Sequence, residues 1–258
     1  MDDMHIMEQL NISLFAPLQV TSNNELVSNF RTKKVLALLV YLAAEPETAH
    51  RRETLMTLLW PGMPDTSARA NLRQVLFHLR QAISDFIVED TAVPLLITNR
   101  HTIQLNPAGS IFVDTIQFES LLNQTLEHDH LNLLTCQKCR DDLAAATELY
   151  TGDFLADFYL EDSNEFEEWA EIRRQRYQRK TLDALETLAA IAIRQQAYAE
   201  ARLQAERQLE LDYLRESAYQ QLMEVLARSG QRNEALAVYE KCRRLLKEEL
   251  GMAPATRT

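Results

Sequence analysis

Apolar and polar positions alternate over residues 10–16, LNISLFA, and short apolar runs return near 18–20 and 25–27 behind Pro17. That period of two predicts a small antiparallel sheet. After Thr32 the segment KKVLALLVYLAA carries apolar side chains around most of a helical circumference, which predicts a helix central to a core and closed by Pro46. Residues 50–60 predict a second helix, with Leu55, Leu58 and Leu59 on one stripe and Pro61-Gly62 as its stop. Asp65, Thr66 and Ser67 offer N-caps for a third helix over 68–86. LLITNRHTIQLNP, residues 95–107, reads as two alternating strands around Asn99-Arg100, a hairpin.

Strands, three helices and a hairpin follow the order of a response-regulator-type winged helix-turn-helix, whose third helix enters a major groove while the hairpin forms the wing. At 100° per residue, Leu72, Val75, Leu76, Leu79, Ile83 and Phe86 make the apolar stripe of the third helix. Ala70, Arg73, Gln74, Phe77, His78 and Gln81 fall on its far side, flanked by Arg69 and Arg80, with no acid between Ala68 and Ser84. Arginine and glutamine suit base edges and phosphates; a plain solvated helix would show the same pattern. Arg73 and Gln74 are the candidates for base contact, with Arg69, Arg80 and Arg100 on phosphate. Lys33, Lys34, Arg51 and Arg52, at helix starts, are further backbone contacts. Phe77 fits either a thymine methyl or a protein neighbour.

Beyond residue 110 nearly everything reads as helix, and a shift of 34 residues superposes Leu188 on Leu222, Ala192 on Leu226, Glu200 on Glu234 and Ala201 on Ala235. That period belongs to tetratricopeptide-like helical pairs, which stack to share a core. The expected fold is therefore mainly α with a small β component: a winged helix over 1–110, then an all-helical tetratricopeptide-like domain over 111–258. The stretch 152–171 interleaves eight acids with Phe154, Phe158, Tyr159, Phe166 and Trp169. These aromatics are expected to pack under the repeat, the alternative being a surface for a basic partner.

Composition narrows the function. Five glycines, far apart, are too few for a phosphate-cradling loop or a dinucleotide fingerprint, since average usage is about 7%. No serine–histidine–aspartate order or carboxylate pair stands out, so an enzyme is not expected. The longest apolar run is half a membrane span, and three cysteines do not make a disulfide framework, so the expectation is a cytoplasmic protein without membrane contact. The net charge of −11 weighs against nucleic acid, but residues 1–110 carry only −2 of it. A local cationic patch can therefore still meet phosphate.

His128, His130, Cys136 and Cys139 place four zinc-type ligands within twelve residues, as H-x-H-x5-C-x-x-C, and would hold a structural zinc ion. The same residues equally fit cysteines on the buried edge of a helix with histidines in a polar loop. Cys242 reads as core.

Five stretches together carry a resemblance: ARANLRQVLFHLRQAI at 68–83, the hairpin ending IQLNP, VDTIQFESLL at 113–122, LYTGDFLADFYLEDSNEFEEWAEIRRQR at 149–176, and LMEVLARSGQRNEALAVYEKCRRLLKEELGMAP at 222–254. The chain resembles the Streptomyces antibiotic regulatory protein family, with a bacterial transcriptional activator domain in its second half. The resemblance implies a transcriptional activator that binds repeated double-stranded promoter sites, self-associates as a homo-oligomer and contacts RNA polymerase, with 68–86 as recognition helix and 95–105 as wing. The competing reading is an interaction scaffold, or the amino-terminal adaptor of a larger signalling ATPase, that does not bind DNA.

Overall fold

The computed structural model describes residues 10–83, 93–129, 132–255 and 258. The chain forms two compact units, 1–117 with 151–175, and 118–150 with 176–258. A single cut at residue 110 therefore does not separate them. The helix that starts at Asn164 contributes its residues through Gln175 to the first unit.

In the first unit, β1 (Leu10–Ser13) pairs antiparallel with β2 (Gln19–Ser22), and β2 with β3 (Glu25–Leu26). The sheet has a fourth strand that alternation does not reveal: β7 (Ile111–Val113) lies parallel to β1, with Ile12 opposite Val113. Helix α1 (Lys33–Ala44) buries Val35 and every residue from Ala37 to Ala44, as expected of a helix apolar on nearly all sides. His50 and Arg51 do not begin the second helix. They form a two-residue strand, β4, and α2 follows as Arg52–Leu59. A two-residue strand is too short to leave a period in the sequence; only its pairing partner defines it.

Helix α3 runs from Asp65 to Ala82, three residues earlier than the cap residues suggest. Pro64 occupies the N-cap, and its carbonyl accepts from the Ser67 and Ala68 amides at 3.0 Å each. Proline's fixed φ suits a helix start, so Asp65, Thr66 and Ser67 join the helix instead of capping it. Ile83 is its buried C-cap; the expected continuation through Phe86 lies outside the described residues. The wing is a three-stranded sheet in the order β4-β6-β5, with β5 at Leu96–Thr98 and β6 at Thr102–Leu105.

The segment 151–175 completes this core. Phe15 and Phe154 form an antiparallel bridge, and Phe154, Phe158 and Phe166 are buried. Trp169 packs on Tyr41 of α1 at 4.9 Å between ring centroids and on Phe166 at 5.2 Å. The aromatics thus lie on the winged helix and not under the helical repeat. The acids are only partly wet: Asp162 meets Lys34 at 2.8 Å, and Glu167 accepts from the Leu160 amide at 2.7 Å. Tyr159, 53% exposed, is the aromatic left outside.

Asp114, at the start of α4 (Asp114–Glu127), is buried and accepts from the Leu14, Phe15 and Thr115 amides at 2.7 to 3.0 Å. Burial raises its carboxyl from 3.8 to about 6, against the opposing pull of those amides. A folded value above the unfolded one means the group's contribution is complete below the unfolded pKa and is lost as pH rises through the folded one. Relative to an Asp114→Asn variant, which does not titrate, the protein is expected to lose up to about 3 kcal/mol between about pH 4 and about pH 7. Urea midpoints of both proteins across that range check it; a difference that grows with pH would contradict the burial argument.

The second unit is helical: part of α4, a 3-10 turn at Leu133–Thr135, α5 (Gln137–Leu149), the later part of α6 (Asn164–Arg194), α7 (Tyr198–Leu211), α8 (Glu216–Arg228) and α9 (Arg232–Leu250). The internal repeat is structural. Ala192 and Ala201 share a core cluster with Val225, while their counterparts Leu226 and Ala235 share the next one with Ala205. Gln196 and Gly230, 34 residues apart, both take left-handed backbone, at φ of 60° and 82°. The following amides close the same turn, Ala197 to Ala192 O at 2.9 Å and Gln231 to Leu226 O at 2.8 Å. Only one of the two turns uses glycine, so glycine pattern alone underreports the repeat. Cys242 is buried beside Tyr219 and Leu246, as expected.

Candidate nucleic-acid interface

Ala68, Leu72, Val75, Leu76, Leu79 and Ala82 bury one side of α3. The other side follows from 3.6-residue periodicity: Arg69, Ala70, Arg73, Gln74 and Gln81 are exposed, and Phe77 is 53% exposed. The Phe77 ring stands edge-on to His78, 5.5 Å between centroids, on this same face.

The remaining cations divide by role. Arg80 is half-buried and donates to Thr98 Oγ1 at 2.7 Å, which fastens α3 to the wing strand β5. Arg52 donates from Nε to the Asn99 carbonyl at 3.0 Å, and its own amide bonds to His101 O at 2.9 Å. Both side chains therefore hold the wing, a positioning task that sequence reasoning assigned to phosphate alone. Burial lowers the pKa of Arg52, and the nearby Arg80 and Arg73 charges add to it. The like charges of Arg52 on α2 and of Arg73 and Arg80 on α3 thus repel one another, and an anion beside them would relieve that repulsion. At the wing tip Asn99 Oδ1 accepts from the His101 and Thr102 amides at 2.7 Å each, leaving Arg100 exposed. Arg51 is exposed on β4.

Lys34 departs from expectation. Its ammonium reaches the Leu59 carbonyl and Asp162 and sits 5.3 Å from the Trp60 ring centroid, with the side chain only 15% exposed. It ties α1 to α2 and is not available to a phosphate. Lys33 is exposed but lies beside Glu161 and the Tyr159 carbonyl. Both lysines turn toward the acidic 152–171 segment, a long-range pairing no local pattern reveals.

His78 is half-buried and locked: Arg31 donates to its Nε2 at 3.4 Å, and its Nδ1 donates to Gln81 Oε1 at 3.2 Å. Asn29 and Arg31 join His78 and Gln81 around a polar groove. Sequence reasoning passed over Arg31 as a site residue because it precedes α1 and lies 47 positions from His78.

In the second unit one ligand atom each from His128, Cys136 and Cys139 lies within 4.8 Å of the others. His130 lies outside the described residues. Cys136 is the N-cap of α5, and Cys139 is buried in its first turn.

Residues 113–258 match the family described as bacterial transcriptional activator domain. The chain belongs to that family. Two relatives carry the name regulatory protein AfsR: one from Streptomyces griseus, 26% identical over 248 residues, and one from Streptomyces coelicolor, 27% identical over 245. The matches cover 96% and 95% of this chain but 23% of each relative, so the chain spans about a quarter of their length. A solved structure, Mycobacterium tuberculosis EmbR in complex with a low affinity phosphopeptide, superposes with a TM-score of 0.74 at 20% identity. It covers 97% of this chain and 62% of that one, and shows that the two share a fold. Its likeness to the two AfsR proteins extends beyond that domain to nearly the whole chain. The family is one of regulators rather than an enzyme class. Among the described residues no helix is long and apolar enough to cross a membrane.

Proposed function

We propose that this regulator binds double-stranded DNA, with α3 in the major groove and the wing on the neighbouring backbone. The observation that carries the reading is the α3 face itself, where Arg69, Arg73, Gln74, Phe77 and Gln81 stand exposed while Arg80 and Arg52 hold the wing beside them. Arg73 and Gln74 read base edges, Phe77 meets a thymine methyl, and Arg69 and Arg100 contact phosphate. Arg52, at the first residue of α2, adds a phosphate site at a helix start. The helical unit contacts RNA polymerase or a second copy; Leu203 on α7 and Leu236 on α9, 60% and 65% exposed, support a protein-binding role.

The test is selection from random double-stranded DNA, followed by titration of the selected duplex across a range of salt. With three arginines on phosphate, log K is expected to fall with log[salt] at a slope of about −3, since each neutralised phosphate contributes about −0.9. The second reading, an adaptor without DNA, draws on the net charge of −11 and the exposed Phe77. It predicts no enriched sequence and a flat salt response, an outcome that would remove the first reading.

A further inference from the structure

We propose that His128, Cys136 and Cys139 bind one zinc ion that clasps the junction of α4 and α5. His128 extends α4 by one residue, its amide donating to Gln124 O at 3.0 Å. Eight positions later Cys136 caps α5, its amide held by Leu133 O at 3.2 Å and its carbonyl accepting from the Arg140 amide at 3.1 Å. Cys139 stands in the first turn of α5, buried. Two helix ends and a 3-10 turn thus fix the backbone of all three residues independently of any ion.

The side chains already converge, with one imidazole nitrogen and two sulfurs mutually within 4.8 Å. Tetrahedral zinc, with bonds of about 2.3 Å to sulfur and about 2.0–2.1 Å to nitrogen, sets its ligand atoms roughly 3.5–3.8 Å apart. Closing the pairs by at most about 1.3 Å lies within the reach of side-chain rotation. Two thiolates and an imidazole select a borderline or soft ion, whereas magnesium and calcium require oxygen ligands. Binding converts two thiols to thiolates and releases two protons, while neutral His128 donates a lone pair and water takes the fourth position. Two thiolates balance the divalent charge, so the half-buried site carries no net charge. Its effect is on the second unit: the ion closes the short loop between α4 and α5, and constraining the unfolded chain in this way stabilises the fold.

The experiment uses the full chain without a histidine tag, purified under reductant and stripped of metal, then titrated with zinc alone and with cobalt as an optical probe. One ion per chain is expected, with two protons released, a thiolate-to-cobalt charge-transfer band, tetrahedral d–d bands and a raised melting temperature in zinc. Cys136→Ser should lower affinity at least tenfold and reduce the charge-transfer band by about half, following the loss of one of two thiolate ligands. His128→Ala should keep that band while weakening binding at least tenfold, and Cys242→Ser should leave the metal stoichiometry and the cobalt bands unchanged. The half-buried Cys136 variant carries the test if the buried Cys139→Ser protein does not fold. An octahedral cobalt spectrum, the absence of stoichiometric metal by mass spectrometry, or binding that survives Cys136→Ser would overturn the proposal, as would a Cys136–Cys139 disulfide persisting under reductant.

Discussion

Phe166→Ala is expected to destabilise the first unit by about 3–5 kcal/mol, the cost of emptying a buried aromatic site in a packed core. Phe166 is fully buried between Phe158, at 5.8 Å between centroids, and Trp169, at 5.2 Å. Its amide donates to Ser163 Oγ at 3.1 Å, and that hydroxyl in turn donates to the Leu58 carbonyl at the end of α2. Removing the ring opens a cavity beside that anchor, while the hydrogen bonds themselves, made by the Phe166 amide and the Ser163 hydroxyl, are kept. Tyr159→Ala, in the same segment but exposed, should stay within about 0.5 kcal/mol. Chemical denaturation of the three proteins measures both. The same packing means that a fragment ending at residue 110 lacks Phe154, Phe166 and Trp169 and should not reach the stability of the intact unit. If the Phe166 variant unfolds at the wild-type midpoint, the segment 151–175 is not part of this core.

Arg73→Ala should lower affinity for the selected duplex by about 1–3 kcal/mol, between fivefold and 150-fold, and relax sequence preference at one position. The side chain is exposed and, among the described residues, in no ion pair, so the unfolding midpoint should not move. Arg69→Ala should instead weaken binding to all sequences alike and flatten the salt slope by about one. Arg80→Ala offers a contrast, because it removes the 2.7 Å bond to Thr98 and should loosen the wing even without DNA. Nitrogen-15 relaxation of residues 96–105 would detect that. Equal effects of Arg73→Ala on specific and random duplexes would reassign Arg73 to the backbone.

Most helices were legible because each answers to a local rule. The α3 stripe of Leu72, Val75, Leu76 and Leu79 has the 3.6-residue period, and the exposed face is simply its complement. The hairpin announced itself through alternation on either side of Asn99. What failed to show was short or distant: the two-residue strand β4, the parallel strand β7 and the start of α3 at Asp65, where proline chemistry overrode cap residues. The cations illustrate the limit most clearly. Arg69, Arg73, Arg80, Lys33 and Lys34 are alike in sequence, yet Lys34 ends under Trp60 with Asp162, 128 positions away.

The sequence by itself determined the winged-helix order, the amphipathic α3 and the 34-residue helical repeat, since periodicity depends only on near neighbours along the chain. Tertiary structure decided that 151–175 belongs to the first core, that Arg52 and Arg80 brace the wing, and that Lys34 is spent on Leu59 and Asp162. Those outcomes depend on contacts between segments far apart in the chain, where shape and charge are matched only after each element has formed.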